Sequence, residues 1–422
     1  MLKLGKNKSV LSISAAVFRL LLDVSYLNVI SVKYEYAGFK LNFSIDHYAL
    51  SWLFYLGCLL FVKDRLLRVS DYFFITALLS VIAPLTSLFG LDSTRPIFPV
   101  LVVMLSIFVI YSITRVRLLS FTRLPVVRNG RRMAIFISSL FVTFLFAWYY
   151  IAGVKFNLDL SKVYEFREDN AELSSKGLLA YTNNWTYKIF NIFLIGFALH
   201  YKKYWLVLLL VCVQIYFFAA TAHKSVLFLP LMVLGIWFYF KKTNSLVIIP
   251  IVFSGIILTT LASYYLLGDI WLSSLFSRRV FFVPAHLTFV YFDFFSNNTQ
   301  VFWSNSVLSR FITYPYDTSI SHVIGHYLGK ENMAANNGFI ASGFAHAGLF
   351  GVFLYSLIVG LILRFINDVT RNLMPIWLAV GLCIVPLRNL LISSDLFTVM
   401  LTHGFIAALI LIYLARTNRE FI

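Results

Sequence analysis

The sequence predicts an all-α, polytopic integral membrane fold with about 12 transmembrane helices. Three observations carry that prediction: an apolar composition, long unalternating apolar runs, and charge concentrated on one side. Of the 422 residues, 60% are hydrophobic and only 13% charged, against about a quarter charged in an ordinary soluble domain. With a mean hydropathy of +0.83, a soluble fold of this length cannot hide its apolar surface, so part of its solvent must be lipid. The 43 Phe and 24 Tyr residues suit lipid-facing and interfacial positions.

Apolar runs near membrane length lie at about 10–30, 47–62, 71–90, 97–114, 133–152, 178–200, 205–222, 225–240, 245–267, 344–366, 374–391 and 396–415. A helix needs about 20 residues to cross. Backbone groups in lipid must pair internally, which selects helices, and runs this long without alternation exclude a barrel. The first run follows a basic flank but carries Arg19 and Asp23 and lacks a small-residue cleavage site, so it reads as a retained span. Arg19 and Asp23 are four residues apart and are expected to pair on one helix face. The whole chain, 1–422, reads as a single transmembrane domain. Cys58, Cys212 and Cys383 sit in apolar runs with no disulfide framework or CxxC spacing, and read as small core filler.

The formal net charge is +17, which in a soluble protein would suggest nucleic acid. The distribution excludes that reading. Alternating the loops puts 20 Lys and Arg against four acids on the side of both termini, and 13 of each on the other. That excess places the first side in the cytoplasm. The block RVRLLSFTRLPVVRNGRR is then a topology anchor facing anionic lipid. Cytoplasmic loops are short and contain no P-loop, so no nucleotide-binding domain is expected. The external side has one medium loop, 153–177, and one large segment, 268–343, rich in Arg, His, Asn, Asp and Tyr. Function should concentrate in that large segment.

Several external cations lie close to the membrane. Lys224, in TAHKS, interrupts an apolar stretch that two helices must share. Arg278 and Arg279 stand in SRRVFFVPAHL, Arg310 in VLSRFITYPYD, and Arg388 in IVPLRNLL between the last two spans. An ionisable group at such depth is a functional candidate by default. The plain alternative is an interfacial anchor whose head reaches for water. A cluster of external cations runs against the topology rule and favours function. Its natural ligand is an anion at headgroup height, best fitted by a pyrophosphate-linked lipid.

His286, His322, His326 and His346 lie in or beside the large segment with Asp293 and Asp317, and a histidine near its ordinary pKa can take a proton from a sugar hydroxyl. His346 and His286 are the candidate bases; a packing role is the alternative for each. Gly343, Ala347 and Gly351 recur every four residues, a small-residue stripe suited to close helix packing. No HExxH or paired acidic motif marks a metal, so neither metal nor cofactor is expected.

Three stretches together, TAHKSVLFLP (221–230), RRVFFVPAHLTFVYFDFFS (278–296) and YPYDTSISHVIGHYLGKENMAANNGFIASGFAHAGLFGV (314–352), resemble the Wzy class of O-antigen and oligosaccharide repeat-unit polymerases. The shared order is a basic residue, Pro and aromatics, then YPY, a Gly-Asn stretch, and G-x-x-G entering a span. Ser342 stands where many family members carry an acidic residue. The resemblance implies a multi-span glycosyltransferase of the GT-C type in the bacterial cytoplasmic (inner) membrane, with its active site facing the periplasm. It implies undecaprenyl-diphosphate-linked oligosaccharide as donor and acceptor, membrane lipid around it, a chain-length regulator as a further partner, and no nucleic acid. Lys224, Arg279 and Arg388 would offset charge on the leaving diphosphate, with Arg278, Arg310, Tyr316, Asp317 and Asn336 as further substrate contacts. His346 or His286 would serve as base, and Tyr291, Trp303, Tyr314 and Tyr316 would stack sugars. An O-antigen ligase shares this chemistry and differs in acceptor. A lipid-linked oligosaccharide flippase would need charges along a path through the bundle, whereas the spans hold few, such as Arg19, Asp23 and Lys188.

Overall fold

The computed structural model describes residues 8–116, 120–154, 156–159 and 179–416. Most of the expected external loop 153–177 therefore lies outside the described residues. Within them the chain is helical, with no strand and two isolated bridges. In chain order the helices are α1 (Lys8–Lys33), α2 (Ile45–Leu59), α3 (Val69–Leu91), α4 (Phe98–Arg115), α5 (Gly130–Ile151), α6 (Leu179–Trp185 and Asn191–His200, joined by a π turn), α7 (Tyr204–Thr221), α8 (Lys224–Phe240), α9 (Ile248–Leu267), α10 (Val283–Asn297), α11 (Ile320–Tyr327), α12 (Phe339–Thr370), α13 (Ile376–Ile392), α14 (Leu396–Met400) and α15 (Phe405–Ala415).

Seven of these, α1, α3, α4, α5, α7, α9 and α12, are long and apolar enough to cross a membrane. That is the make-up of a multi-pass membrane protein. Three further apolar helices, α8, α13 and α15, are shorter. The run at 396–415 is not one helix. It breaks between Met400 and Phe405, where Gly404 turns left-handed at φ 77° and the freed Leu401 carbonyl accepts the Trp185 indole N–H. A Cβ at Gly404 would meet the same indole at 2.8 Å, so only glycine fits.

The helices fall into two units. The first comprises Met1–Leu118, Ser245–Arg364 and Arg388–Leu396. Here α1 packs along α9, and α2 along the second half of α3. Gly90 makes the latter approach possible: a Cβ there would stand 2.4 Å from Ser51 Oγ. Arg19 is fully buried and pairs with Asp23, as their spacing predicts. Arg19 also donates to Thr86 Oγ1 (3.3 Å) and Ser51 Oγ (3.2 Å), while Asp23 accepts from Ser87 (2.5 Å) and Tyr48 (3.1 Å). A buried pair with its remaining donors and acceptors engaged is a structural element, since an unpaired charge there would be costly.

The second unit comprises Leu119–Asn244, Phe365–Leu387 and Phe397–Ile422. Here α6, α7 and α8 pack in sequence, and α15 lies on α5. The π turn Thr186–Phe190 lets Gln214 enter the gap: its Nε2 donates to the Tyr187 carbonyl (2.8 Å) and to Val226 O (3.0 Å), and its Oε1 accepts from Asn191 (2.6 Å). Such side-chain insertion is a usual cause of a local helix irregularity.

Candidate functional site

The first unit holds two polar constellations. One begins where the chain leaves α1. A tight turn, Glu35–Ala37, closes at Gly38 with φ 88°. A Cβ at Gly38 would fall 2.8 Å from His286 Cε1 and 2.9 Å from its Nε2. The turn thus needs glycine both for its left-handed backbone and for room. His286 comes from the first turn of α10. Arg95, from the loop after α3, donates from Nε to Asp92 (3.1 Å), from Nη2 to Gly38 O (2.7 Å) and from Nη1 to His286 Nδ1 (3.1 Å).

Arginine can only donate, so His286 Nδ1 accepts and the ring proton sits on Nε2. That Nε2 is buried with no partner. Arg278, on the π-helical segment Ser273–Phe282, stacks over Tyr34 at 4.3 Å, and its Nε is likewise buried and unpartnered. Arg278, His286 and Lys330 line a cavity of about 190 Å³ with Tyr36, Gly38 and Met333. Burial first, and then Arg95 and Lys330, push His286 down to about 3. Two orphaned N–H groups beside converging cations suit the oxygens of an anion, which would satisfy both.

The second constellation lies where α12 breaks. Ala347 (φ −153°, ψ 36°) and Gly348 (φ 56°, ψ −139°) leave helical geometry. The stripe Gly343–Ala347–Gly351 does not form one continuous face. It lets the two arms of the broken helix close on each other: a Cβ on Gly351 would stand 2.0 Å from Gly343 O. Freed backbone groups are taken up by Val301–Trp303. Val301 N–H donates to Ala345 O (3.0 Å), Phe302 N–H to His346 O (2.8 Å), and Trp303 N–H to His346 Nδ1 (3.2 Å). Phe302 and Trp303 both adopt positive φ, 48° and 56°, to aim these donors. Non-glycine residues in that region are strained by about 1 kcal/mol or more, and such strain gathers at functional sites.

With Nδ1 accepting, His346 carries its proton on Nε2, which faces Asp395 Oδ2 at 3.3 Å. Tyr355 donates to the same oxygen (2.8 Å) and accepts from Trp303 Nε1 (2.8 Å). The Trp303 ring stacks on His346 at 5.3 Å. His346 is 2% exposed against 24% for the Asp395 side chain, so the carboxylate is the member of the pair that reaches solvent. Helix α10 links the two constellations. Tyr291 lies five residues beyond His286, about 7.5 Å along the axis, and donates to Ala335 O (2.8 Å). Burial, and next the charge of Asp395, raise the Tyr291 phenol above its ordinary range.

The other sequence candidates are dispersed. Arg279, Arg310, Asp317, Asn336 and Arg388 are exposed. Tyr316 donates to Thr299 O and packs on Phe294 and Phe295. Tyr314 donates to Thr318 O (2.7 Å). His322 meets Ser319, and His326 the Glu331 carbonyl. Lys224 belongs to the second unit, in the first turn of α8. Next to exposed Asn336, Asn337 is buried and bonds Pro284 O and Thr288 Oγ1. Gly338 passes so close to Leu391 that a Cβ would stand 2.1 Å from its carbonyl oxygen. The Gly-Asn stretch therefore holds α12 against α10 and the end of α13. Among the described residues no three His, Cys, Asp or Glu side chains converge.

Arg95, Lys330, Asp395 and Tyr355 escape a reading by segments. The loop sequence DSTR, with an acid three residues before a base, signals an ion pair, and Asp395 is the lone acid between the last two apolar runs. No family model, curated protein or solved structure matches the chain.

Proposed function

We propose that the protein joins polyprenyl-diphosphate-linked oligosaccharide repeat units at the external face of the bacterial cytoplasmic membrane, as a metal-independent polymerase with about twelve spans and a GT-C-like fold. The observation that carries this reading is the cavity at Arg278, His286 and Lys330, with its two unpartnered buried donors. It fits a phosphate-type anion and stands at the segment singled out by its likeness to repeat-unit polymerases. In the reaction proposed, the terminal hydroxyl of one glycan attacks the anomeric carbon of the other. The bond from that carbon to the diphosphate oxygen breaks, and the cations stabilise the departing diphosphate. Preorganised donors of this sort are worth about 2.7–4 kcal/mol of barrier each.

The geometry favours a base other than either histidine. His286 and His346 each use Nδ1 as an acceptor and carry the proton on Nε2, so neither ring nitrogen is open to a hydroxyl. Asp395, oriented by His346 and Tyr355, is the better acceptor for that proton, and His346 becomes a positioning residue. The site proposed here is built from the first unit alone.

The test is the lipopolysaccharide or capsule banding of a strain lacking the protein, complemented with wild type or with Lys330→Gln. Polymerase loss leaves a single repeat unit on the lipid core, and Lys330→Gln should shorten or thin the ladder. Complete absence of repeats from the core would make the protein a ligase. An unchanged pattern would refute both. A reporter fused near Asn298 should be active outside the cytoplasm; cytoplasmic activity there would overturn the external site.

A further inference from the structure

We infer that the second unit carries a binding site for an anionic phospholipid, formed by the start of α5, the end of α6 and the start of α7. This inference rests on the membrane-spanning reading and not on the polymerase reaction. These three helices enclose a cavity of about 440 Å³. Its walls include Ile135, Leu194, Leu206 and Leu210, and its other end carries Arg131 and Lys203. On α5 the lining positions Arg131, Ile135 and Ser139 follow at intervals of four. The cavity thus runs about 12 Å along that helix from its cationic end. An apolar slot with cations at one end has the polarity of a lipid: headgroup first, acyl chain behind.

The surroundings place the cationic end at headgroup level. Arg131 donates to the Tyr201 hydroxyl, and its guanidinium lies 5.9 Å from the Phe197 ring centre and 5.6 Å from that of Tyr201. Tyr204 and Trp205, both exposed, follow Lys202 and Lys203 directly, the aromatic and basic pairing of a membrane interface. Phe136, Leu140 and Leu208 expose apolar side chains deeper along the same helices, where acyl chains would cover them. The charge is selective as well. Residues 121–152 and 179–244 contain no Asp or Glu, while Arg131, Arg132, Lys202 and Lys203 gather at this end. Four cations at one end of an apolar slot favour a net anionic headgroup over a zwitterionic one.

The test uses the full-length protein in mild detergent, titrated with short-chain phosphatidylglycerol, phosphatidylcholine or inorganic phosphate while its thermal midpoint is followed. Phosphatidylglycerol should raise the midpoint at lower concentration than phosphatidylcholine, and phosphate alone should not. Each basic residue near an anionic lipid contributes about fivefold in affinity, so the double variant Arg131→Gln/Lys203→Gln should weaken phosphatidylglycerol roughly thirtyfold and leave phosphatidylcholine unchanged. If the double variant does not fold, Ile135→Trp, which fills the slot but keeps both cations, should abolish the phosphatidylglycerol response. Equal responses to the two lipids, an equal response to phosphate, or an undiminished response in either variant would overturn the inference.

Discussion

Replacing Asp395 separates a structural role from a chemical one. Its Oδ2 accepts from Tyr355 at 2.8 Å and faces His346 Nε2 at 3.3 Å, and both partners are buried. In Asp395→Ala both donors lose that acceptor, at about 1–3 kcal/mol for each buried group left unsatisfied. The folded state should lose roughly 2–6 kcal/mol in all. Asp395→Asn keeps the shape and one acceptor oxygen but removes the charge. Hydrogen bonds to charged groups are worth about 1.5–3 kcal/mol against about 0.5–1.5 for neutral ones, so with two such bonds weakened the asparagine variant should lose about 2–3 kcal/mol. If Asp395 is the base, turnover in Asp395→Asn should nevertheless fall by about 10²–10⁴. The assay pairs thermal unfolding of the purified protein with polymer formation from lipid-linked repeats. A folded Asp395→Asn protein with wild-type turnover would remove the base assignment. An Asp395→Ala protein as stable as wild type would refute the hydrogen-bonded network itself.

Three further outcomes follow from the same geometry. Gly348→Ala should destabilise the protein by about 1–3 kcal/mol, because the new Cβ meets Gln300 Nε2 at 2.7 Å on a left-handed backbone; an unchanged thermal midpoint would refute the break in α12. His286 is held at about 3 in the folded protein against 6.5 ordinarily, so between those values the unfolded chain binds a proton that the folded one refuses. Stability should therefore fall as pH drops from about 6.5 towards about 3. His286→Gln should flatten that slope in thermal midpoints, and a slope unchanged by the substitution would count against it. Arg279 is exposed, so Arg279→Ala should leave protein abundance near normal while shortening the polymer, and Arg279→Lys should restore only part of the length; full-length polymer from the alanine variant would remove Arg279 from the site.

The sequence by itself determined the class of fold and several local pairings. Apolar runs of membrane length become helices because backbone groups in lipid have only each other to bond. The i,i+4 spacing of Arg19 and Asp23 suffices to pair them, since one turn of helix brings such residues together. The basic and aromatic residues of 278–296 already stand out in the sequence, and that stretch carries Arg278 and His286. What the sequence left open was which polar groups meet across the chain. The cavity joins residues from the turn after α1, the π segment before α10, the start of α10 and the loop after α11, with Arg95 from the loop after α3 bonded to two of them, and no periodicity relates those stretches. Apolar periodicity is equally blind to a helix that breaks: the stripe Gly343–Ala347–Gly351 reads as a packing face, yet here it allows two arms of one helix to fold together. That break frees backbone groups, draws in Val301–Trp303, fixes the tautomer of His346, and so turns its Nε2 proton toward Asp395. Tertiary structure makes that assignment because it settles which lone pair each buried donor occupies, and a chain read one residue at a time carries no record of it.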